Sequence, residues 1–259
     1  RSLLDDPLLV RVSGGYALTP RARDLEPLLG AALGDLRGVF RQPTFDAGEV
    51  QRTIRIACSD AQTVLLAPGV MARLAIEAPG VDLRMEPYAR DLVARMQSGD
   101  LDLAFALMTT PLPPGALSEG IASDRLSLVM RKGHPAARRR WTIADYGRVD
   151  HVGVSLLGDG ASDIDALLAG GGVRRRIALV TPHFHAALET VAVTDLVTTI
   201  SRTFAKRFEK ALDLLLLEPP FAQTDMRLSL VWTQVRAADP LLAWLRRLIA
   251  EVAQEVHGA

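Results

Sequence analysis

The sequence predicts an α/β fold, and three observations carry that prediction. Residues 53–87 read as a complete strand–helix–strand unit. Strand-patterned and helix-patterned segments then alternate to the C-terminus, the pattern that builds sheets covered by helices. A hydrophobic share of 49% over 259 residues supports a sizeable core, while no apolar run is long enough to span a membrane.

The strand–helix–strand unit organises the chain. Ile54, Ile56 and Cys58 alternate with Thr53, Arg55 and Ala57, the period of two expected of a strand. Ser59 and Asp60 offer side-chain oxygens that can cap a helix. Leu66, Val70, Leu74 and Ala78 follow at spacings of four, giving one apolar helical face. Pro79-Gly80 stops that helix, and Val81, Leu83 and Met85 alternate as a second strand. Such a unit builds a parallel sheet, with residues 58–62 as the corner at its carboxyl edge. Free backbone N–H groups and a positive helix terminus there can hold a small, often anionic, ligand.

From the start of the chain, Leu8-Leu9-Val10 and Tyr16-Ala17-Leu18 flank the turn Ser13-Gly14-Gly15 as a small hairpin. Thr19 caps a helix with Pro20 at its first position. Ala22, Leu25, Leu29, Ala32, Leu36 and Val39 recur at three and four residues as a pairing seam, and Pro27 should kink the helix. Residues 41–51 are polar and carry proline and glycine, hence a linker.

Beyond the central unit, a short helix over 91–96 ends at Gly99, and residues 101–107 form a buried strand. Residues 109–118 are a proline-rich loop, and 126–130 a strand running into Lys132-Gly133-His134-Pro135. Arg138-Arg139-Arg140 is a solvated loop. Residues 151–155 are a strand, 158–162 a flexible loop, and 164–168 a short helix stopped by Gly170-Gly171-Gly172. That triple glycine is no phosphate loop, because neither Lys-Ser/Thr nor dinucleotide spacing follows. Strands are expected over 177–180, 196–200, 212–217 and 227–233, with helices over 183–191 and 203–208. Asp239-Pro240 caps a last helix whose Leu241, Leu245, Leu248, Val252 and Val256 share one face.

Composition narrows the function. Formal net charge is zero, so bulk charge recruits no nucleic acid to this piece. One cysteine cannot form an intramolecular disulfide and fits a reducing, cytoplasmic setting. The chain opens at Arg1 with no leader pattern, so the expectation is a piece of a longer protein. No hydrolase, metalloprotease or paired-carboxylate signature stands out, so catalysis has no sequence support. His183 and His185, two apart on a helix, face different ways and do not suit a shared metal. Neither a metal nor another cofactor is expected. Cys58 beside the corner reads more simply as a small buried residue than as an oxidant sensor, since no second cysteine could resolve it.

The opening of the chain resembles the end of the DNA-binding domain of LysR-type transcriptional regulators. Arg1, Leu4, Asp6, Pro7, Leu8, Leu9, Val10, Arg11, Leu18, Thr19 and Pro20 carry the likeness, and Gly133-His134-Pro135 continues it. Phe45-Asp46 is similar to the branch containing nodulation and naphthalene/salicylate-degradation regulators. The resemblance implies that residues 1–19 are the wing of a winged helix-turn-helix whose recognition helix precedes Arg1. It implies that residues 20–52 are a linker helix and hinge that pairs subunits into a homodimer or homotetramer. The rest becomes a two-lobed, periplasmic-binding-protein-like effector domain. Lobe 1 would be 53–123 plus 234–259 and lobe 2 would be 124–233, hinged near Ser123-Asp124 and Thr233-Gln234.

That architecture faces two strand-to-helix corners toward each other. Ser59, Asp60, Ala61 and Gln62 form one; Thr181, Pro182, His183 and Phe184 form the other, with His151 and Ser155 on a strand entering the interior. In the salicylate-responsive branch the histidine of the matching Pro-His-Phe lies in the effector cavity. The expected partner is therefore a small molecule, an aromatic acid at branch level, with DNA met only through the segment ahead of Arg1. A solute-binding protein or an enzyme on the same two-lobed fold is the alternative, since fold does not fix function. The wing-like opening argues against both.

Overall fold

The computed structural model describes residues 4–40, 45–107, 114–138, 140–158, 164, 165, 168, 172–223 and 225–258. Much of the loop expected over 109–118, most of the loop over 158–162, part of the helix over 164–168, Gly170, Gly171, Arg1 and Arg139 lie outside that set. The chain divides into two compact units, Arg1–Phe45 and Asp46–Ala259.

In the first unit β1 (Leu9–Val12) and β2 (Gly15–Leu18) pair antiparallel, with Leu9 opposite Leu18. Gly14 and Gly15 turn the chain at φ +112° and +146°, a region that side chains disfavour. Asp6 Oδ1 accepts from the Leu8 amide and the Thr19 hydroxyl, both at 2.7 Å. Thr19 Oγ1 in turn accepts from Ala22 N at 3.1 Å and so caps α1 (Pro20–Phe40). Ala22 is buried and Leu25 half-buried, whereas Leu28, Leu29, Leu33 and Leu36 lie exposed. Val39 belongs to α1, but its side chain is outside the described set.

Lobe 1 of the second unit holds β3 (Arg52–Ala57), α2 (Asp60–Glu77), β4 (Val81–Glu86), α3 (Leu92–Ser98) and β5 (Leu103–Leu107). It is completed by β6 (Ala116–Asp124), β12 (Met226–Thr233) and α7 (Pro240–His257). The sheet runs β4-β3-β5-β12-β6. β3 is parallel to β4 and β5, and β12 is antiparallel to β5 and β6. Ile54 and Ile56 bury their side chains completely, and Leu66, Val70, Leu74 and Ala78 bury the face their spacing predicts. Each of the isoleucine, leucine and valine side chains among them contributes about 1.5–3 kcal/mol.

α7 packs against α2 and β6. Gly69 allows the helices to approach closely, since a Cβ there would lie 2.8 Å from Val252 Cγ1. Arg73 pairs with Glu251 at 2.6 Å and with Glu255 across the same contact. Asp239 caps α7, its Oδ1 accepting from Leu241 N at 3.1 Å and Leu242 N at 3.2 Å. Its Oδ2 takes Arg52 Nη1 at 2.5 Å, tying the helix start to β3.

Lobe 2 holds β7 (Leu126–Arg131), α4 (Ile143–Arg148), β8 (Asp150–Val154), β9 (Arg176–Thr181) and α5 (Phe184–Val193). β10 (Thr198–Ser201), α6 (Arg202–Phe208) and β11 (Leu214–Leu217) follow. β7 lies between β10 and β11, antiparallel to both, and β8 runs parallel to β9. Leu128, Met130, Tyr146, Leu168 and Val197 form one core. A second core joins Val129, Val152, Ala187, Leu188 and Phe204, with Ala61, Val64 and Leu65 of α2 packed into it from lobe 1.

The hinge departs from the sequence expectation. Residues 227–233 were expected in lobe 2, with a crossover near Thr233-Gln234. They instead belong to β12, paired with β5 and β6 inside the sheet of lobe 1. Leu228, Leu230 and Trp232 together with Ser229, Val231 and Thr233 are all buried, because a central strand is covered on both faces. The chain therefore crosses just before Met226. β6 and α4 are elements that the sequence reading did not assign.

Candidate functional site

β3 ends at the predicted corner where its partner β4 also ends, Ala57 lying opposite Glu86, and Cys58 N bonds Glu86 O at 2.9 Å. Ser59 N donates to Gln62 Oε1 at 2.8 Å, and the Ser59 hydroxyl donates to the same oxygen. This closes the first turn of α2 on its own side chains. Thr63 Oγ1 donates to Ser59 O at 3.0 Å and lies 3.3 Å from Cys58 Sγ. Burial pushes the Cys58 thiol up from its ordinary value, which keeps it protonated and unreactive.

The second corner follows β9. Val154 of β8 stands opposite Thr181, and Ser155 N bonds Thr181 O at 3.0 Å. Thr181 and Ser155 are buried, Pro182 and His183 are more open, and Phe184 is half-buried. Thr181 Oγ1 accepts from His183 N at 3.2 Å. Phe184 meets Phe204 edge-on at 6.2 Å between ring centres, which anchors the start of α5.

Asp60 joins the two corners. Its Oδ1 accepts from Phe184 N at 3.0 Å and its Oδ2 from His185 N at 2.8 Å. Free N–H groups were expected at the first corner, and a positive helix terminus at the second. At α5 a carboxylate of the opposite lobe holds two N–H groups, and at α2 Gln62 holds one. The sequence marked Asp60 only as a local cap, because a bond spanning 124 residues leaves no periodic trace.

His151 does not join this group. It is fully buried near the opposite end of β8 from Ser155, bridged to Val197. Its Nε2 donates to Tyr146 O at 2.8 Å, and its ring centre lies 4.4 Å from that of Tyr146. Burial lowers its pKa from 6.5 to about 4, so the imidazole is neutral. The inward alternation that made it a site candidate points into the core of lobe 2 instead. A cavity of about 570 Å³ also lies in lobe 2, lined by Asp165, Gly172, Val173, Arg174 and Arg175, none of them a corner residue.

Two lobes, each offering a strand-to-helix corner to the other, match a known domain. Residues 47–254 match the family model described as the LysR substrate binding domain. The chain belongs to the LysR family. It is 32% identical over 257 residues to the transcriptional activator NagR of Ralstonia sp., covering 98% of this chain and 85% of that protein. It is 28% identical to the activator NahR of Pseudomonas putida, covering 97% and 84%. A structure described as a probable transcriptional regulator from Pseudomonas aeruginosa superposes with TM-score 0.74 at 31% identity, covering 96% of this chain and 83% of that one.

The LysR assignment makes this a transcriptional regulator carrying an effector-binding domain, and the two-lobed periplasmic-binding-protein-like fold expected of it is the one observed. Its relatives are named as regulators, in keeping with a chain read as no enzyme. No helix among the described residues is long and apolar enough to cross a membrane.

Proposed function

We propose that this LysR regulator senses a small planar anion, an aromatic acid, held between the lobes at the corners 58–62 and 181–184. The supporting observation is that the two corners already meet, through Asp60 and the first amides of α5. The hydroxyls of Ser59 and Thr181 and the accessible imidazole of His183 add polar partners, and Phe184 adds an apolar face. Ligand affinity for one lobe arrangement over another biases that arrangement, which is how binding becomes a signal. The exposed leucines of α1 pair subunits into a dimer or tetramer, β1 and β2 form the wing of the DNA-reading head, and the protein works in the cytoplasm.

A thermal-shift screen of small aromatic acids tests this reading, since a binder raises the melting temperature with the logarithm of its concentration. For a hit, His183→Ala should weaken binding by about 1.5–3 kcal/mol, the range for a hydrogen bond to a charged group. Equal affinity of wild type and variant in calorimetry removes His183 from the site.

A further inference from the structure

Asp60 is the first residue of α2 in lobe 1, yet its carboxylate caps a helix of lobe 2. α5 has no local side-chain cap: His183 stands at its N-cap position without a capping bond, and Thr181 takes only the His183 amide. The amides of Phe184 and His185 therefore depend on a residue of the other lobe.

We propose that Asp60 is a built-in stand-in for the effector: its carboxylate occupies the two α5 amides that the carboxylate of an anionic effector takes over. Effector binding is then an exchange of one carboxylate for another, and Asp60 sets how much affinity the incoming anion must bring. This rests on the inter-lobe site of the preceding section.

Three physical points favour exchange over addition. Two N–H groups are saturated by one carboxylate, and a second carboxylate in contact with the first is repelled. The released Asp60 remains at the N-terminal turn of α2, where the helix dipole favours negative charge, so letting go is inexpensive. Finally, Asp60 is a covalent part of lobe 1 whereas the effector is not. Swapping them cuts a direct bond between the lobes and so changes their coupling, which a ligand merely filling space would not do.

The experiment uses the full chain, benzoate as the probe, and amide exchange measured by NMR with calorimetry. Asp60→Ala should speed hydrogen exchange at Phe184 and His185 by about tenfold or more, benzoate should bind it about tenfold tighter than wild type, and bound benzoate should restore protection. Asp60→Asn keeps the side chain's size and one acceptor without the charge, and should fall between the two. It guards against misreading a folding defect of the alanine variant. Undiminished protection of the two amides in Asp60→Ala overturns the proposal. So does benzoate that shifts Thr181 and His183 with equal affinity in wild type and Asp60→Ala, although an inter-lobe site then still stands. Benzoate that binds neither protein overturns the exchange and the anionic-effector reading together.

Discussion

Replacing His151 by Gln should flatten the dependence of stability on pH. The imidazole is fully buried, and with Nε2 donating to Tyr146 O its Nδ1 has no hydrogen-bond partner among the described residues. Protonation would place a charge and an unmet N–H in the core, and burial accordingly lowers the pKa from 6.5 to about 4. The unfolded chain binds this proton first as pH falls, so unfolding gains ground between pH 6.5 and 4 and stability rises with pH across that window. The full span from 6.5 to about 4 corresponds to about 3 kcal/mol at ~1.36 kcal/mol for each step in pH. Between about pH 7.5 and about pH 5 the loss is about 2 kcal/mol, which for a unit of this size lowers the melting temperature by about 4–8 °C. The glutamine side chain would keep an N–H for the Tyr146 carbonyl and cannot titrate. His257 also has a lowered pKa, mainly from burial and opposed by Asp124, so wild type alone does not isolate His151. Urea unfolding of both proteins at about pH 7.5, 6 and 5 does, because His257 titrates in each. The wild-type advantage should shrink by about 2 kcal/mol on going to about pH 5. A difference constant to within about 0.5 kcal/mol would refute the neutral, buried His151.

Asp239→Ala should destabilise the chain by about 1–3 kcal/mol in urea, combining a lost helix cap with a lost partner of Arg52. Asp239→Ser should recover the cap share only; full recovery would mean that the Arg52 pair contributes nothing. Replacing both Leu29 and Leu36 by Asp should shift sedimentation toward smaller species, because both side chains are exposed on α1. An unchanged mass would assign assembly to the effector domain instead.

What the sequence made legible is what repeats. β3, α2 and β4 announce themselves through Ile54 and Ile56, the four-residue spacing from Leu66 to Ala78, and Val81 to Met85. α7 does so through Asp239 and its apolar face. β6 was missed because Ala116–Asp124 hardly alternates and carries Gly120, where a Cβ would lie 2.9 Å from Arg227 Cδ. The lobe of β12 was misplaced because a strand buried on both faces does not say which neighbours bury it. His151 and Ser155 show the same limit within the candidate site. Both lie on one inward segment, yet one end meets the second corner and the other ends in the core. Asp60 was visible as a cap and invisible as a tie between lobes, since nothing local marks the α5 amides as its partners.

The pairing of β6 with β12 gives the molecule an unusual modularity. Asp124 and Met226 are partners in register, so lobe 2 leaves and re-enters the first sheet at neighbouring residues. Topologically, lobe 2 is an insert at the tip of a hairpin. Excising residues 125–225 and bridging Asp124 to Met226 with a two-residue Asn-Gly turn would restore that hairpin as a continuous piece. The five strands β4-β3-β5-β12-β6 and the packing of α7 on α2 would remain, with Ala61, Val64 and Leu65 newly uncovered. A lobe exchanged at this seam needs only two splice points side by side, so one sensing half could be traded for another without rewiring the half that holds the chain's end.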